Sequence, residues 1–529
     1  MTVEWRVPPA DAETSGGFRY WPENLAWSTQ LLRLVSYASL GAADFSEIDS
    51  VARTLTVGDE DAWYEGFAGL GRRLDERAAA AQLADHAQTA SETWYRACLY
   101  YRLAATFRSM SGETETPSID DSRRCFRSAV EADDHIDVEL VEIPYESGFL
   151  SGYFVASAHP GGSTPTIIVL GGIDAFAEEM FFKLGRTLSS RGYNVLLADG
   201  PGQGEALRRR IPARVDYEMA ISALVDFLAG RRDVDTERIG LVGSSLGGYF
   251  AARGAAFEHR LAATVIWGAF YGIETSRHSS GTPQLDSRLA QAMAAFAVPD
   301  VDQLAAVVEE FNLEKVARLI SCPTLILHGE SDVQVPLAHA QRLFEDIPHD
   351  DKRLVVYPAG APGCTHCQLD SPTTAHYDIC NWLDGKLRPS PGTTEHELRD
   401  KTLTLMYQYQ TLLQQRRFDE WIELWADDGI CEFPFAAEGR PRRLCGKDDI
   451  YAYMTAYPSR ISIEAVQDLR IHPAQNPATL IVEMKIKGTA TETQRPYDQQ
   501  YVIVAHVEHD KIAHYREYWN PLISAEAFS

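Results

Sequence analysis

Between an apolar run and an alanine-rich segment stand Gly243-Ser244-Ser245-Leu246-Gly247. The residues before them, Ile239-Gly240-Leu241-Val242, suit a buried strand, and Tyr249 to Glu258 suits a helix. A chain that passes from strand to helix in so few residues must turn sharply, and the flanking glycines remove the side chains that would block the turn. The serine is then held at the carboxyl end of a strand with its oxygen exposed. The N–H of the next residue, Leu246, points at the space where an oxyanion would form. Such a serine needs a base and an acid, and a parallel sheet supplies them from the carboxyl ends of its other strands.

The surrounding sequence has the pattern of that sheet. Val138 to Ile143 and Leu150 to Val155 alternate on either side of Glu146-Ser147-Gly148 and predict a β-hairpin. Thr166 to Leu170 is continuously apolar, as in a strand buried on both faces, and ends in Gly171-Gly172-Ile173-Asp174. A helix from Glu178 to Ser190, a strand from Tyr193 to Ala198, the turn Asp199-Gly200-Pro201-Gly202-Gln203-Gly204-Glu205 and a helix from Tyr217 to Ala229 lead to the serine. Strands follow at Ala263 to Trp267, Thr324 to Leu327 and Arg353 to Pro358. Strands alternating with helices predict an α/β fold with a mostly parallel, doubly wound sheet.

Two late strand ends carry the partners. His328-Gly329-Glu330-Ser331-Asp332 places Asp332 at the turn after one strand, and Gly363-Cys364-Thr365-His366-Cys367 places His366 after the next. The chain order serine, acid, histidine is that of an α/β-hydrolase. Ser245, Asp332 and His366 are therefore the expected catalytic residues, with Leu246 and Ile173 as the expected donors of the oxyanion hole. His328 is expected to be structural. Cys364 and Cys367 could be read as a metal or redox pair, but no second ligand pair accompanies them, so neither a metal nor a cofactor is expected.

Before the sheet, Trp21 to about Val130 reads as helices. The longest is expected from Ala78 to Thr106, with Leu83, Trp94, Tyr95, Cys98, Leu99 and Tyr101 at helical spacing. The expected domains are a helical layer over 1–135, a sheet domain over 136–387 with a cap insertion at about 268–320, a linker over 388–396, and an α+β domain over 397–529. That last domain is expected to have helices Leu398 to Gln415, Phe418 to Trp425 and Asp448 to Tyr457. Four strands follow, near Ile461–Val466, Ala478–Lys487, Tyr497–His506 and Lys511–Trp519.

A net charge of −26 argues against nucleic acid or an anionic membrane as partner. The start, Met1-Thr2-Val3-Glu4-Trp5-Arg6, lacks the basic and apolar regions of a signal peptide, and no run of about 18 apolar residues predicts a membrane span. Eight scattered cysteines fit reduced thiols, so a cytoplasmic protein is expected.

The helical layer, Asp199-Gly200-Pro201-Gly202-Gln203-Gly204-Glu205, Gly243-Ser244-Ser245-Leu246-Gly247-Gly248 and Glu258-His259-Arg260-Leu261-Ala262-Ala263 together resemble one group of α/β-hydrolases over residues 20 to 387. This is the helical-capped esterase/fermentation-respiration-switch group, which takes in 2,6-dihydroxypseudooxynicotine hydrolase and polyketide-shortening hydrolases. The resemblance implies cleavage of an ester or of a carbon–carbon bond next to a ketone, a homodimer, and an assisting acid for which Glu274 is the candidate. Leu170-Gly171-Gly172 stands where the plain esterase pattern has His-Gly.

The C-terminal domain is similar to the SnoaL-like, ketosteroid-isomerase-like cone in Phe418-Asp419, Trp425-Ala426-Asp427-Asp428, Gly446-Lys447-Asp448-Asp449-Ile450 and Tyr515-Arg516-Glu517-Tyr518-Trp519-Asn520-Pro521. That similarity implies an apolar cone with Glu432, Glu517, His506 and His514 as candidate polar residues. A supporting or dimerising role is expected in preference to a second active site. A bulky, apolar, aromatic or polyketide-like substrate of secondary metabolism is expected at the serine. The alternatives are acyl transfer or cyclisation by the same residues, or isomerase or cyclase activity of the C-terminal domain.

Overall fold

The computed structural model describes residues 19–110, 116–158, 163–272, 283–388, 397–437, 439–474, 476, 478–508 and 510–529. The chain divides into two compact units, Met1–Arg388 and Pro389–Ser529.

The first unit is built on an eight-stranded sheet: β1 (Val138–Tyr145), β2 (Gly148–Val155), β3 (Thr164–Leu170), β4 (Asn194–Ala198), β5 (Val234–Ser244), β6 (Leu261–Trp267), β7 (Thr324–Gly329) and β8 (Lys352–Tyr357). The spatial order is β1-β2-β4-β3-β5-β6-β7-β8. β1 and β2 form the antiparallel hairpin, β2 runs antiparallel to β4, and all further pairings are parallel. The continuous apolar run of β3 follows from this position. Ile167 and Val169 enter the core beneath the N-terminal helices, while Ile168 and Leu170 enter the core on the other face with Tyr217, Leu224, Tyr249 and Phe250.

The N-terminal residues are helical, with one departure from expectation. The segment Ala78 to Thr106 is two helices, Glu60–Leu83 and Ala87–Ala104, separated at Asp85, whose φ is +61°. Leu83 is 91% exposed at the end of the first, so it belongs to no buried stripe. The second helix buries Trp94, Tyr95, Cys98, Leu99 and Tyr101, which the spacing picked out. Trp27, Trp63 and Phe107 pack ring against ring, with Trp27 stacked on Phe107 at 5.0 Å. In the region of the expected cap, helices Pro283–Phe296 and Val301–Glu309 are described, and Phe311 packs on Tyr249 of the helix after the serine.

The second unit is a six-stranded sheet ordered β10-β9-β14-β13-β12-β11. Its strands are β9 (Trp425–Glu432), β10 (Arg443–Cys445), β11 (Ile461–Pro473), β12 (Thr479–Ala490), β13 (Gln499–Glu508) and β14 (Lys511–Trp519). The expected helix Phe418 to Trp425 ends early: Phe418–Trp421 is helical, Ile422–Leu424 is one tighter turn, and Trp425 opens β9. β9 lies parallel to β14 and pairs antiparallel with β10. Among the described residues no helix is long and apolar enough to cross a membrane.

Candidate active site

Ser245 follows β5 directly and precedes helix Leu246–Phe257 with φ +58° and ψ −122°. This conformation is rare for a non-glycine residue and costs roughly 1–3 kcal/mol, which the surrounding packing must hold in place. The glycines show how tight the turn is. A Cβ on Gly243 would collide with the Gly247 carbonyl, and one on Gly247 would collide with the carbonyl of Gly171. The Ser245 N–H donates to the Trp267 carbonyl at 2.8 Å, which ties the turn to the end of β6.

Asp332 and His366 converge on this serine. His366 Nε2 lies 2.9 Å from Ser245 Oγ, and His366 Nδ1 lies 2.6 Å from Asp332 Oδ2. The other Asp332 oxygen accepts the backbone N–H groups of Gln334 and Val335 at 2.8 and 2.9 Å. The loop holding His366 is braced by Asp370, which accepts from the Gly363 and Thr365 N–H groups at 2.6 and 3.1 Å. Burial works against the His366 imidazolium, but the Cys367 sulfur and the Asp332 carboxylate outweigh it and raise the ring above the ordinary histidine value. For Asp332, burial opposes ionisation, and His366 and the Val335 N–H reverse that and lower its pKa.

His328 is fully buried and donates from Nε2 to the Val335 carbonyl at 2.8 Å, and burial lowers its pKa. It buttresses the acid loop, which is a structural place. Cys364 and Cys367 are buried free thiols, and no group of three or more metal-ligating side chains occurs among the described residues. Cys367 packs its sulfur 3.6 Å from the Trp267 carbonyl. Burial pushes its thiol up, but His366 and Lys183 pull it below the usual thiol range.

Gly172 packs against the serine: a Cβ there would sit 3.2 Å from Ser245 Cβ and 3.4 Å from its Oγ. This close approach brings the loop carrying Ile173 beside Ser245. Sequence reasoning missed what holds the loop. Gln203 Nε2 donates to the carbonyls of Gly171 and Gly172 at 2.7 and 2.8 Å, and Tyr217 donates to Gln203 Oε1 at 2.8 Å. From the helical layer, Arg33 binds Asp174 at 2.5 Å and Glu179 at 2.6 and 2.7 Å, and Arg102 donates to the Asp174 carbonyl. The glycine-rich turn Asp199–Glu205 stands out in the sequence, so Gln203 is legible there. Nothing local marks Arg33 or Arg102, which meet the loop only through the tertiary fold. Glu274 lies outside the described residues.

In the second unit the alternation of β14 separates the candidates. Glu517 lines a cavity with Trp519, two residues further along the same face. On the opposite face His514 and Arg516 both bind Glu432, with His514 Nε2 2.9 Å from Glu432 Oε2 and Arg516 donating to the same oxygen at 2.8 and 2.9 Å. His506, paired with His514 in the register, is bound to Thr479 on that same face.

The strand order and the serine at the carboxyl end of β5 define the first unit as an α/β-hydrolase fold. A family profile described as "Esterase FrsA-like" matches residues 54–337, and a SnoaL-like domain profile matches residues 407–515. The chain belongs to the FrsA-like esterase family, with a SnoaL-like domain behind the hydrolase domain. An α/β hydrolase of Xenoacremonium sinensis is 28% identical over 378 residues, 62% of this chain and 88% of its own length. A 2,6-dihydropseudooxynicotine hydrolase of Paenarthrobacter nicotinovorans is 28% identical over 72% of this chain and 94% of its own. The crystal structure of a 2,6-dihydroxy-pseudo-oxynicotine hydrolase aligns with TM-score 0.58 and 25% identity, over 67% of this chain and 96% of that one.

Proposed function

We propose that the chain is a serine hydrolase that uses Ser245, His366 and Asp332 to cleave an ester, or a carbon–carbon bond beside a ketone, in a bulky apolar substrate. The observation that carries this reading is the continuous contact Asp332–His366–Ser245, at 2.6 and 2.9 Å, around a serine held in a strained backbone. Neutral His366 takes the hydroxyl proton at Nε2 as Ser245 Oγ attacks the carbonyl carbon. Asp332 fixes the ring with its proton on Nδ1 and stabilises the imidazolium that forms. The oxyanion is met by the N–H groups of Leu246 and Ile173. When the intermediate collapses, the imidazolium gives its proton to the leaving alkoxide or enolate, and an acyl group remains on Ser245. A water deprotonated by His366 then releases the acid. Acyl transfer replaces hydrolysis if a substrate hydroxyl takes the place of that water.

The names of two relatives, an α/β hydrolase and a 2,6-dihydropseudooxynicotine hydrolase, support a hydrolase. An aromatic or polyketide-like substrate, a homodimer and a cytoplasmic place belong to the proposal alone. The test is product analysis by mass spectrometry on matched naphthyl esters and aryl 1,3-diketones. The proposal expects acid products whose formation is abolished in Ser245→Ala. Glu274→Gln sorts the two chemistries: loss of diketone cleavage with ester cleavage kept assigns Glu274 the assisting role. Cleavage that survives Ser245→Ala would contradict the reading.

A further inference from the structure

Lys183 carries a charge that the hydrolytic steps above do not use. It lies on a single π-helical turn, Phe181–Gly185, in the helical stretch that follows the Gly171–Asp174 loop. Such a turn is rare and widens the helix, which takes a backbone carbonyl out of the regular ladder. Here the Lys183 carbonyl is met by His376 Nε2 from the helix Pro372–Leu387. Phe181 and Phe182 of the same turn pack on Tyr95 of the helical layer. The turn is thus held from two sides, and the Lys183 side chain reaches the end of the sheet.

There its ammonium donates to Ser244 Oγ at 3.0 Å and lies 4.5 Å from the centre of the Trp267 ring. Ser244 and Trp267 are register partners at the ends of β5 and β6. They also bracket the nucleophile. Ser244 precedes Ser245, and the Trp267 carbonyl accepts the Ser245 N–H at 2.8 Å. The base leans on the same tryptophan. Cys367, next to His366, has its sulfur 3.6 Å from the Trp267 carbonyl, a long contact that does not fix the thiol proton, and Trp267 Nε1 donates to Gln368 Oε1. A Cβ on Gly268 would lie 2.9 Å from Cys367 Sγ and 3.5 Å from His366 Cε1, so sulfur and imidazole meet the strand end side by side. One side chain, Lys183, therefore touches the strand ends that hold both Ser245 and the His366 loop.

Charge completes the pattern. Toward the helical layer, Arg33 and Arg102 face Asp174 and Glu179, two cations against two carboxylates. His376 adds no charge, because burial lowers its pKa to about 4. Among the described residues no carboxylate lies within ion-pair distance of the Lys183 ammonium. Burial disfavours that ammonium, and Cys367 is the group that most favours it. Burial and Asp332 likewise disfavour a charge on Cys367, and His366 and Lys183 outweigh them. An ammonium and a thiolate so placed stabilise each other, and the thiolate stabilises the imidazolium of His366.

We propose that Lys183 is a positioning residue of the hydrolase site that acts on His366 through Trp267 and Cys367, an inference that rests on Ser245 as the nucleophile. Two measurements on the full-length protein test it. The first is the pH profile of kcat/KM on a naphthyl ester. Lys183→Met removes the cation and keeps the length of the side chain, so Cys367 takes up a proton and His366 loses an anionic neighbour. The acid limb should move to lower pH by about 0.5 or more. In Cys367→Ala there is no thiolate to lose, so adding Lys183→Met should move the limb no further down. The second measurement needs no substrate. The ultraviolet thiolate band that Cys367→Ala removes from the native spectrum at pH 7 should also be missing in Lys183→Met. Lys183→Gln can still donate to Ser244, so its agreement with Lys183→Met in both measurements separates loss of charge from loss of the hydrogen bond. An acid limb unmoved in both Lys183 variants would overturn the inference. So would an equal shift with and without Cys367, or a native spectrum lacking the Cys367 band. Those failures leave cleavage dependent on Ser245, whereas cleavage that survives Ser245→Ala overturns the reading of Ser245 and this inference with it.

Discussion

The serine, histidine and aspartate sit within hydrogen-bond reach before any substrate arrives, and the environment of His366 sets when they can work. A base acts only when neutral, and Asp332 and Cys367 raise the His366 pKa despite burial. The acid-side limb of kcat/KM should therefore lie above pH 6.5, the ordinary value for histidine. A full pH–rate profile checks this, and Cys367→Ala should move the limb towards lower pH while leaving the alkaline plateau largely in place. Glu517 gives a second titration with a definite sign. Its folded pKa is raised, so it contributes stability that is fully present below its unfolded value and is lost as pH rises towards 7. The melting temperature of the transition belonging to the second unit should fall between pH 5 and 8, and Glu517→Gln should flatten that fall.

At the scale of elements, the loop Gly171–Asp174 is held from two directions, by Gln203 within the hydrolase domain and by Arg33 and Arg102 from the helical layer. Gln203→Ala frees both carbonyls; on the proposed mechanism, in which the loop donor serves the oxyanion rather than the ground state, it should cost about 10²-fold in kcat with KM little changed. Glu179 is buried and binds Arg33 and Tyr37, with Arg102 at 3.5 Å. Glu179→Ala leaves Asp174 as the one carboxylate beside two buried guanidinium groups and should lower unfolding free energy by about 3 kcal/mol in a urea titration. Much of this architecture was legible in the sequence because it is local. The two hairpin strands of the first sheet announce themselves by alternation and the other six by apolar runs, and Ser245, Asp332 and His366 each follow one of those six. The illegible parts depend on tertiary partners. Trp425 to Glu432 carries Asp427, Asp428 and Gly429, an inconspicuous strand that forms because β14 lies beside it. Ala78 to Thr106 keeps helical spacing through its break, so only the positive φ of Asp85 reveals two helices. In the clamp on the Gly171–Asp174 loop, Arg33 and Arg102 stand 141 and 72 positions before Asp174, separations that no window of sequence contains.

For the whole molecule, two compact units with separate cores should unfold as two calorimetric transitions, with Glu179→Ala moving one and Glu517→Gln the other. A pI near 5.0 places the solubility minimum near pH 5, which a turbidity scan reads directly. The chain therefore joins a hydrolase unit organised around Ser245 to a unit with a cavity and polar groups of its own. The central claim concerns the first of these: that Ser245 is a nucleophile activated by His366. The most direct measurement is intact-protein mass spectrometry after exposure to a fluorophosphonate, followed by peptide mapping. The account predicts one adduct, located on Ser245, formed more slowly by at least about 10²-fold in His366→Ala and absent in Ser245→Ala. An unmodified protein, or an adduct on any other residue that persists in Ser245→Ala, would contradict it.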